Sequence, residues 1–162
     1  MKSCGKKLCE EYMGKHPVIS ISLKGINAAS YEAAFELTVK TIKGAVQKAG
    51  FLKMSDKLDE DEKKEYRAIL DENMSEATLF WSLKNLSELL EKHYETKVIL
   101  LIDEYDVPLA KAFENGYYDK MVFLIRNLLE QTLKTNNSLK FAVMTGCMRI
   151  SNCLLYTSDA AD

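Results

Sequence analysis

The segment from Val98 to Asp106 reads VILLIDEYD, in which five aliphatic residues are followed by three acids and a tyrosine. A short, continuous apolar run of this kind is typical of a strand buried inside a parallel sheet. We therefore predict a strand over Lys97–Ile102, apolar on both faces and covered by two helical layers. Functional groups of open α/β sheets lie beyond the carboxyl ends of the strands, and Asp103 and Glu104 occupy that position.

Two other short runs also have the character of strands. They are Val18–Leu23 (VISISL) and Lys140–Met144 (KFAVM), the second reaching residue 145. Between the three runs, apolar residues recur at the period of an α-helix. This pattern predicts helices over Tyr31–Ala49, Asp56–Asp71, Ser75–Tyr94 and Gly116–Thr135. Strands separated by helices need crossover connections, so the predicted fold is α/β: a three-layer sandwich with a parallel sheet as its core.

The composition fits a single soluble domain. The 162 residues are 47% hydrophobic and 28% charged, which is enough apolar material for one core. The prolines at His16-Pro17 and Val107-Pro108 predict turns and not linkers. The charge-dense segment Asp56–Asp71 is either a solvent-facing helix or a partly ordered excursion. A net charge of -2 provides no overall field to attract nucleic acid or an anionic membrane.

The cysteines indicate a reducing compartment. Their spacing matches neither the CxxC pairs of a zinc site nor a dense disulfide framework. The sequence has no run of the ~18 apolar residues that a membrane span needs, and its first residues lack the apolar core of a signal peptide. We therefore expect a cytoplasmic protein without a membrane partner. The four cysteines are Cys4, Cys9, Cys147 and Cys153.

The acids after the apolar run are candidates for a nucleotide site. A strand-end aspartate such as Asp103 can hold Mg²⁺, and a neighbouring carboxylate such as Glu104 can orient or deprotonate the water that attacks a γ-phosphate. An apolar strand followed by Asp-Glu is the Walker B pattern. The same pattern arises by chance where an Asp begins a loop and caps the next element, so both interpretations stay open on these residues alone.

A second strand end adds polar groups to the same edge of the sheet. The run KFAVMTG ends with Thr145 and Gly146, and Arg149 follows. A hydroxyl can orient a water or a phosphate oxygen, and a guanidinium can stabilise charge developing on phosphates. Taken singly, Thr145 and Arg149 are more often a turn residue and a surface cation. Together with the two acids they favour a catalytic edge.

Four blocks of the sequence resemble the AAA-ATPase-like family of bacterial and archaeal proteins, in which a P-loop ATPase domain often precedes a restriction-type PD-(D/E)XK nuclease domain. The resemblance runs in register from about Leu8 to Ser151. It implies that KVILLI is the middle strand of the sheet, with VISISL and KFAVM beside it. The blocks are HPVISISLKG, VILLIDEYDVPL, ENGYYDKMVFLIRNLL and FAVMTGCMRIS.

The same resemblance implies roles for individual residues. Asp103 binds Mg²⁺, Glu104 acts on the catalytic water, and Asp106 supports the cofactor site as a further acid. Thr145 and Arg149 lie at the end of the sensor strand and take part in catalysis. Mg²⁺ and ATP are the cofactors implied for the full-length family, and nucleic acid is a partner implied through the nuclease domain.

A phosphate-binding loop of the form GxxxxGK(S/T) is missing from the sequence. The Gly-Lys steps are Gly5-Lys6 and Gly14-Lys15, and neither Ser nor Thr follows them. In the family this loop lies upstream of HPVISISL, so we expect the sequence to begin inside the ATPase domain. Several phosphate contacts of roughly 1.5–3 kcal/mol each would then be lost from the about 8 kcal/mol of a micromolar affinity. We expect no tight ATP binding and no hydrolysis by this chain alone.

The carboxyl-terminal residues depart from the family pattern. CLLYTSDAAD, at Cys153–Asp162, looks like the translation of a transposon-library sequencing adapter, as expected for a metagenomic sequence. We therefore predict a partial ATPase domain over residues 1–152 and an adapter-derived tail over residues 153–162. Without the P-loop strand the edge of KFAVM stays uncovered, which predicts poor solubility.

A Mg²⁺-dependent nuclease is one alternative function. Glu95-Thr96-Lys97 is an E-x-K at the start of a strand, with Asp103 as a potential partner acid. Asp103 follows the other end of that strand, roughly 20 Å away, which is too far for a shared metal ion. The nuclease is therefore the weaker interpretation of these acids.

A non-catalytic interaction module is the other alternative. It would present Tyr117-Tyr118 and the amphipathic helix after them to a partner, although that helix pattern is more typical of a core helix. His16 and His93 have no Cys or His at ligand spacing, and Cys147 has no histidine near it in sequence. We assign these three residues no metal or nucleophilic role.

Overall fold

Three parallel strands form one sheet in the part of the chain that the computed structural model describes, residue 7 and residues 9–146. In chain order they are β1 (Val18–Ser22), β2 (Val98–Asp103) and β3 (Leu139–Met144). β2 lies between β1 and β3 and pairs with both in parallel. The three predicted strands, their parallel pairing and the central position of KVILLI are confirmed.

Helices connect and flank the strands. The observed fold is mixed α/β, with a parallel sheet flanked by helices, and it confirms the fold class predicted from the sequence. The α-helices after β1 are α1 (Tyr31–Gln47), α2 (Glu60–Leu70), α3 (Glu76–Tyr94), α4 (Val107–Glu114) and α5 (Tyr118–Leu133). A short 3-10 helix at Gly50–Met54 follows α1.

Polar side chains fix where three of these helices begin. The hydroxyls of Ser30 and Ser75 accept backbone N–H groups from the first turns of α1 and α3, at 3.3 and 3.1 Å. Asp59 and Glu62 each accept the backbone N–H of the other at the start of α2. These contacts satisfy N–H groups that lack a partner inside the helix. The four predicted helices begin and end within a few residues of α1, α2, α3 and α5.

The charged segment forms a helix that two apolar residues attach to the core. Tyr66 and Ile69 of α2 are fully buried. The Tyr66 hydroxyl donates to the carbonyl oxygen of Val46 at 2.9 Å, and burial raises the pKa of Tyr66. Of the two interpretations of this segment, the solvent-facing helix is the one observed.

The turn predicted at Val107-Pro108 lies directly before this pair, at residues 105–106, and α4, which was not predicted, begins at Val107. Pro108 lies in the first turn of α4, where an N–H has no partner inside the helix and where the fixed φ of proline suits helical geometry. At His16-Pro17 the chain does turn, immediately before β1. Each proline therefore follows a turn, and Pro108 also lies in the first turn of a helix.

The sheet buries one face more completely than the other. Ile19 and Leu100 are register partners, and both are buried beneath the helices. On the opposite face Leu101 is 37% exposed and Val143 is 43% exposed. Burial of KVILLI on both faces is therefore found only in part of β2. An aliphatic run suits either face of a sheet, so it does not specify which face is covered.

Candidate functional site

The ends of the three strands meet along one edge, which we call the carboxyl rim. It comprises Ser22–Lys24 at the end of β1, Asp103–Asp106 at the end of β2 and Thr145–Gly146 after β3. The backbone N–H of Leu23 donates to the carbonyl oxygen of Asp103 at 2.9 Å. The N–H of Thr145 donates to the carbonyl oxygen of Ile102 at the same distance, 2.9 Å. Backbone hydrogen bonds thus hold all three strand ends together.

Asp103 and Thr145, which the sequence predicts to share an edge, are in direct contact. The Thr145 hydroxyl donates a hydrogen bond to Oδ1 of Asp103. The backbone N–H of Tyr105 donates to the carbonyl oxygen of Thr145 at 3.2 Å, which adds a second link between β2 and β3. On the other side, Ser22 is the register partner of Asp103. Residues with hydroxyl groups therefore flank Asp103 on both neighbouring strands.

Glu104 adopts an unusual backbone conformation. Its φ of 53° lies in the left-handed region, which costs a residue with a side chain roughly 1–2 kcal/mol. Glu95 has a similar φ of 56°, but it ends α3, where a left-handed residue is common. No helix ends at Glu104. Strain of this kind concentrates at functional sites, so the conformation favours a functional role for this acid.

The two carboxylate oxygens of Glu104 have different surroundings. Oε1 lies 3.9 Å from Nζ of Lys24, and the Glu104 side chain is 27% exposed. Oε2 is buried, and within residues 9–146 it has no hydrogen-bond partner. A buried carboxylate oxygen without a hydrogen bond is unfavourable, so this atom has unused capacity to accept one.

Asp106 is a buried member of the rim. Its side chain is 3% exposed, and it is the residue immediately before α4. Gly146 approaches it so closely that a Cβ atom on Gly146 would lie 2.7 Å from Oδ1 of Asp106 and 2.9 Å from the Tyr105 ring. The absence of a side chain at position 146 thus allows the end of β3 to pack against the loop after β2.

The alternative in which the acids cap the next helix does not match this geometry. The residue that precedes α4 is Asp106. Asp103 and Glu104 lie earlier in the chain. The Asp106 side chain makes no capping hydrogen bond to α4, whereas the Asp103 carboxylate accepts from Thr145. The side chains of Asp103 and Glu104 therefore do not cap the helix, although the backbone carbonyl oxygen of Glu104 accepts the N–H of Val107 at 3.2 Å.

Several predictions fall on residues that the structure does not describe. Arg149 and Cys147 follow the last described residue, 146. The predicted boundary at residue 152 and the predicted tail over residues 153–162 also lie outside the described residues. The geometry of the site therefore rests on Asp103, Glu104, Asp106 and Thr145.

The donor atoms of the rim suit Mg²⁺. The candidate ligands are carboxylate and hydroxyl oxygens, which hard divalent cations prefer. Among the described residues there is no group of three or more His, Cys, Asp or Glu residues able to hold a metal ion. Mg²⁺ commonly binds through one or two carboxylates together with substrate phosphates and water. The rim fits that kind of site, in which water can fill the positions that phosphates leave open.

The E-x-K residues lie at the opposite end of β2 and pair elsewhere. Glu95 pairs with Lys57 at 2.7 Å, and Lys97 lies 3.4 Å from Glu91. The Lys57 ammonium holds the pKa of Glu95 below its usual value. These contacts occupy both charged residues away from Asp103, so the structure brings no nuclease-type constellation together in this region.

Tyr117 belongs to the core and not to an exposed surface. It is 9% exposed, and its hydroxyl donates to the carbonyl oxygen of Ala28 at 2.7 Å. Burial raises the pKa of Tyr117. The two histidines are also engaged in ordinary contacts: His16 with the carbonyl oxygen of Lys97 at 2.7 Å, and His93 with the hydroxyl of Ser55 at 2.8 Å.

A parallel sheet flanked by helices, with acids at the end of its central strand, defines an α/β protein with a candidate site at the carboxyl rim. The family model described as "Predicted AAA-ATPase" matches residues 5–155, and the chain belongs to this AAA-ATPase-like family. The resemblance noted in the sequence is thereby confirmed. No curated protein and no solved structure matches the chain. Among the described residues, none of the helices has both the length and the apolar character needed to cross a membrane.

Two contacts of the rim were not predicted from the sequence. Lys24 contacts Glu104, and Gly146 packs against Asp106. A positively charged residue directly after a predicted strand was the available signal for Lys24. For Gly146, the signal was a glycine next to the predicted Thr145. Neither signal predicts which atoms are in contact, because both contacts join residues far apart in sequence.

Proposed function

We propose that this chain provides the Walker B and sensor part of an ATPase site. The observation that carries the proposal is the hydrogen bond from Thr145 to Asp103 at the end of the central strand, beside the strained Glu104. Membership of the AAA-ATPase-like family supports it. The nuclease alternative has no comparable support, because its residues lie at the other end of β2.

Each rim residue has a chemical role in this proposal. Asp103 holds Mg²⁺, and the Thr145 hydroxyl fixes the orientation of the Asp103 carboxylate. Glu104 accepts a hydrogen bond from the attacking water through the carboxylate, whose Oε2 lacks a partner within the described region. Mg²⁺ with ATP, when bound, supplies the phosphoryl group and neutralises its charge. Asp106 supports the loop from behind, and Arg149 is proposed to stabilise charge on the phosphates.

The 162 residues contain no GxxxxGK(S/T), and we propose that another segment supplies the phosphate-binding half of the site. In the described part of the sheet, β3 pairs with β2 on one side only, and Phe141 and Val143 of β3 are exposed. We propose that a P-loop strand pairs with the outer edge of β3. By itself the chain is then inactive in ATP hydrolysis.

The metal role of Asp103 is tested by replacing it with asparagine. Mn²⁺ substitutes for Mg²⁺ and broadens the NMR signals of nearby amides. In the isotope-labelled wild-type chain we expect Mn²⁺ to broaden the Tyr105 and Thr145 amides, and in Asp103→Asn we expect this broadening to disappear. Asp119→Asn is the matched control, since Asp119 is an acid in the first turn of α5 and lies outside the rim. Equal broadening in wild type and Asp103→Asn would contradict the metal role.

The predicted inactivity is tested by titration calorimetry with Mg-ATP. Because the chain lacks the phosphate-binding loop, we expect no heat of binding up to about 1 mM nucleotide, which corresponds to less than about 4 kcal/mol of binding free energy. Thr145→Ala is expected to behave like wild type in this assay, since neither chain has the phosphate contacts. Mg²⁺-dependent binding in the micromolar range would show that the chain is a complete nucleotide site.

A further inference from the structure

The outer edge of β1 is open in the described part of the sheet, because β1 lies at one end of the strand order. The carbonyl oxygen of Pro17 accepts the N–H of Ile99, and the N–H of Leu23 also donates to β2, both at 2.9 Å. Alternate residues direct their backbone groups to opposite edges of a strand, so every second residue between Pro17 and Leu23 faces away from β2. Among the described residues, no other backbone group hydrogen-bonds to these outward groups, which belong to Val18, Ser20 and Ser22. Val18–Ser22 also lacks the charged residues and prolines that usually protect an edge strand from pairing with another chain.

A cleft of about 140 Å³ lies beside the same edge. Residues 18–20 of β1 form one side of it, and Leu86 and Leu90 of α3 add apolar surface. Two of its lining rings, Phe51 and Tyr94, are 41% and 49% exposed, and their centroids lie 5.8 Å apart. An apolar cavity of roughly 150 Å³ holds a ring the size of benzene. The cleft therefore has room for one aliphatic or aromatic side chain of a ligand.

The charge beside the cleft is positive. Among the described residues that line it, one is charged, the exposed Lys48 after the end of α1. No ion pair of the described residues includes Lys48. A complementary ligand is thus apolar at one position and negatively charged at another. Side chains two residues apart lie on the same face of a strand, so in an extended ligand the acid belongs two residues from the apolar side chain.

We propose that the edge of β1 is a docking site for an extended segment of a partner protein, which adds a strand to the sheet. The segment places an aliphatic side chain in the cleft and a carboxylate, two residues away, beside Lys48. Main-chain hydrogen bonds supply affinity in this mode of recognition, and side-chain pockets supply specificity. The site lies at the amino-terminal end of β1, opposite the carboxyl rim, and it does not depend on the proposed function.

The test uses the isotope-labelled full chain and the end-blocked peptide Thr-Asp-Thr-Leu-Thr-Asp-Thr, which presents an acid to Lys48 in either strand direction. We expect saturable shifts of the Val18, Ser20 and Ser22 amide signals, with a dissociation constant below about 1 mM. The peptide Thr-Thr-Asp-Leu-Asp-Thr-Thr has the same composition, but its acids lie on the opposite face from the leucine. We expect it to bind about two- to five-fold more weakly, the range of an exposed ion pair.

Two substitutions test the protein side, with the amide spectrum as the check of folding. Lys48→Glu is expected to weaken binding about three- to ten-fold, and Lys40→Glu, about two turns earlier on α1 and outside the cleft, should change nothing. Ala45→Leu fills the cleft with a good helix former and is expected to weaken binding at least about ten-fold.

Methylation of alternate peptide amides tests the main-chain pairing. Only every second N–H of a strand faces its neighbour, so one alternate set of methyl groups should abolish binding and the other should be tolerated. Any other pattern overturns strand addition, and so does the absence of binding by the first peptide. Equal binding of both peptides, to wild type and to Lys48→Glu alike, overturns the role of the acid. Self-association of the chain that competes with the peptide would identify a second copy as the occupant and overturn the proposal.

Discussion

Replacing Leu100 by alanine is expected to lower the free energy of unfolding by about 3 kcal/mol, within the range measured for buried leucines. Leu100 is fully buried at the centre of β2, where Ile19 of β1 and Ala142 of β3 are its register partners. Alanine would leave a cavity that the paired strands on both sides cannot close. Urea unfolding followed by circular dichroism measures the loss, which is a large share of the total stability of a small domain.

Leu101→Ala is the matched control, since it changes the same residue type in the same strand. Leu101 is 37% exposed on the opposite face of the sheet, so alanine there removes less buried area and creates no enclosed cavity. We expect a loss below about 1 kcal/mol. Equal losses in the two variants would contradict the assignment of Leu100 to the buried face.

Leu100 also connects stability to the site, because β2 carries the acids of the rim. Asp103 is the last residue of β2, and Glu104 follows it. A strand that packs loosely positions the residues at its end less well. The Leu100→Ala variant should therefore bind Mn²⁺ at the rim more weakly than Leu101→Ala, even under conditions in which both variants are folded.

The strands and their order could be predicted because their signals are local and repeated. Three apolar runs separated by helical patterns require crossover connections, and a parallel sheet follows from that requirement. α4 was missed because Pro108 was taken as a turn residue, although proline is equally suited to the first turn of a helix. Only the position of the apolar residues after Pro108 distinguishes the two cases, and eight residues give a weak period.

The site was predictable to the level of strand ends and not to the level of atoms. The carboxyl ends of parallel neighbours must meet, so the contact between Asp103 and Thr145 follows from the sheet prediction. The left-handed backbone of Glu104 has no such origin, since glutamate gives no local signal for that conformation. The contact with Lys24 depends on the register of β1 against β2, which hydrogen bonding fixes only in the folded chain.

Gly146→Ala is expected to destabilise the protein by about 1–3 kcal/mol and to disturb the rim, because the added methyl group would overlap the carboxylate of the buried Asp106. The new Cβ atom would lie 2.7 Å from Oδ1 of Asp106 and 2.9 Å from the Tyr105 ring. Asp106 is 3% exposed, so its carboxylate cannot move into solvent without a shift of the loop before α4. Unfolding in urea measures the loss of stability, and the amide signals of Tyr105 and Thr145 report the shift.

Gly25→Ala provides the control for this substitution, since Gly25 lies in the loop after β1 and a Cβ atom there would meet nothing within 4 Å. We expect it to change stability by less than about 0.5 kcal/mol and to leave the rim signals in place. The comparison isolates close packing from the general effect of replacing glycine. If Gly146→Ala left both the stability and the Thr145 amide signal unchanged, packing against Asp106 would not be what fixes the end of β3. Another contact would then have to maintain the hydrogen bond from Thr145 to Asp103.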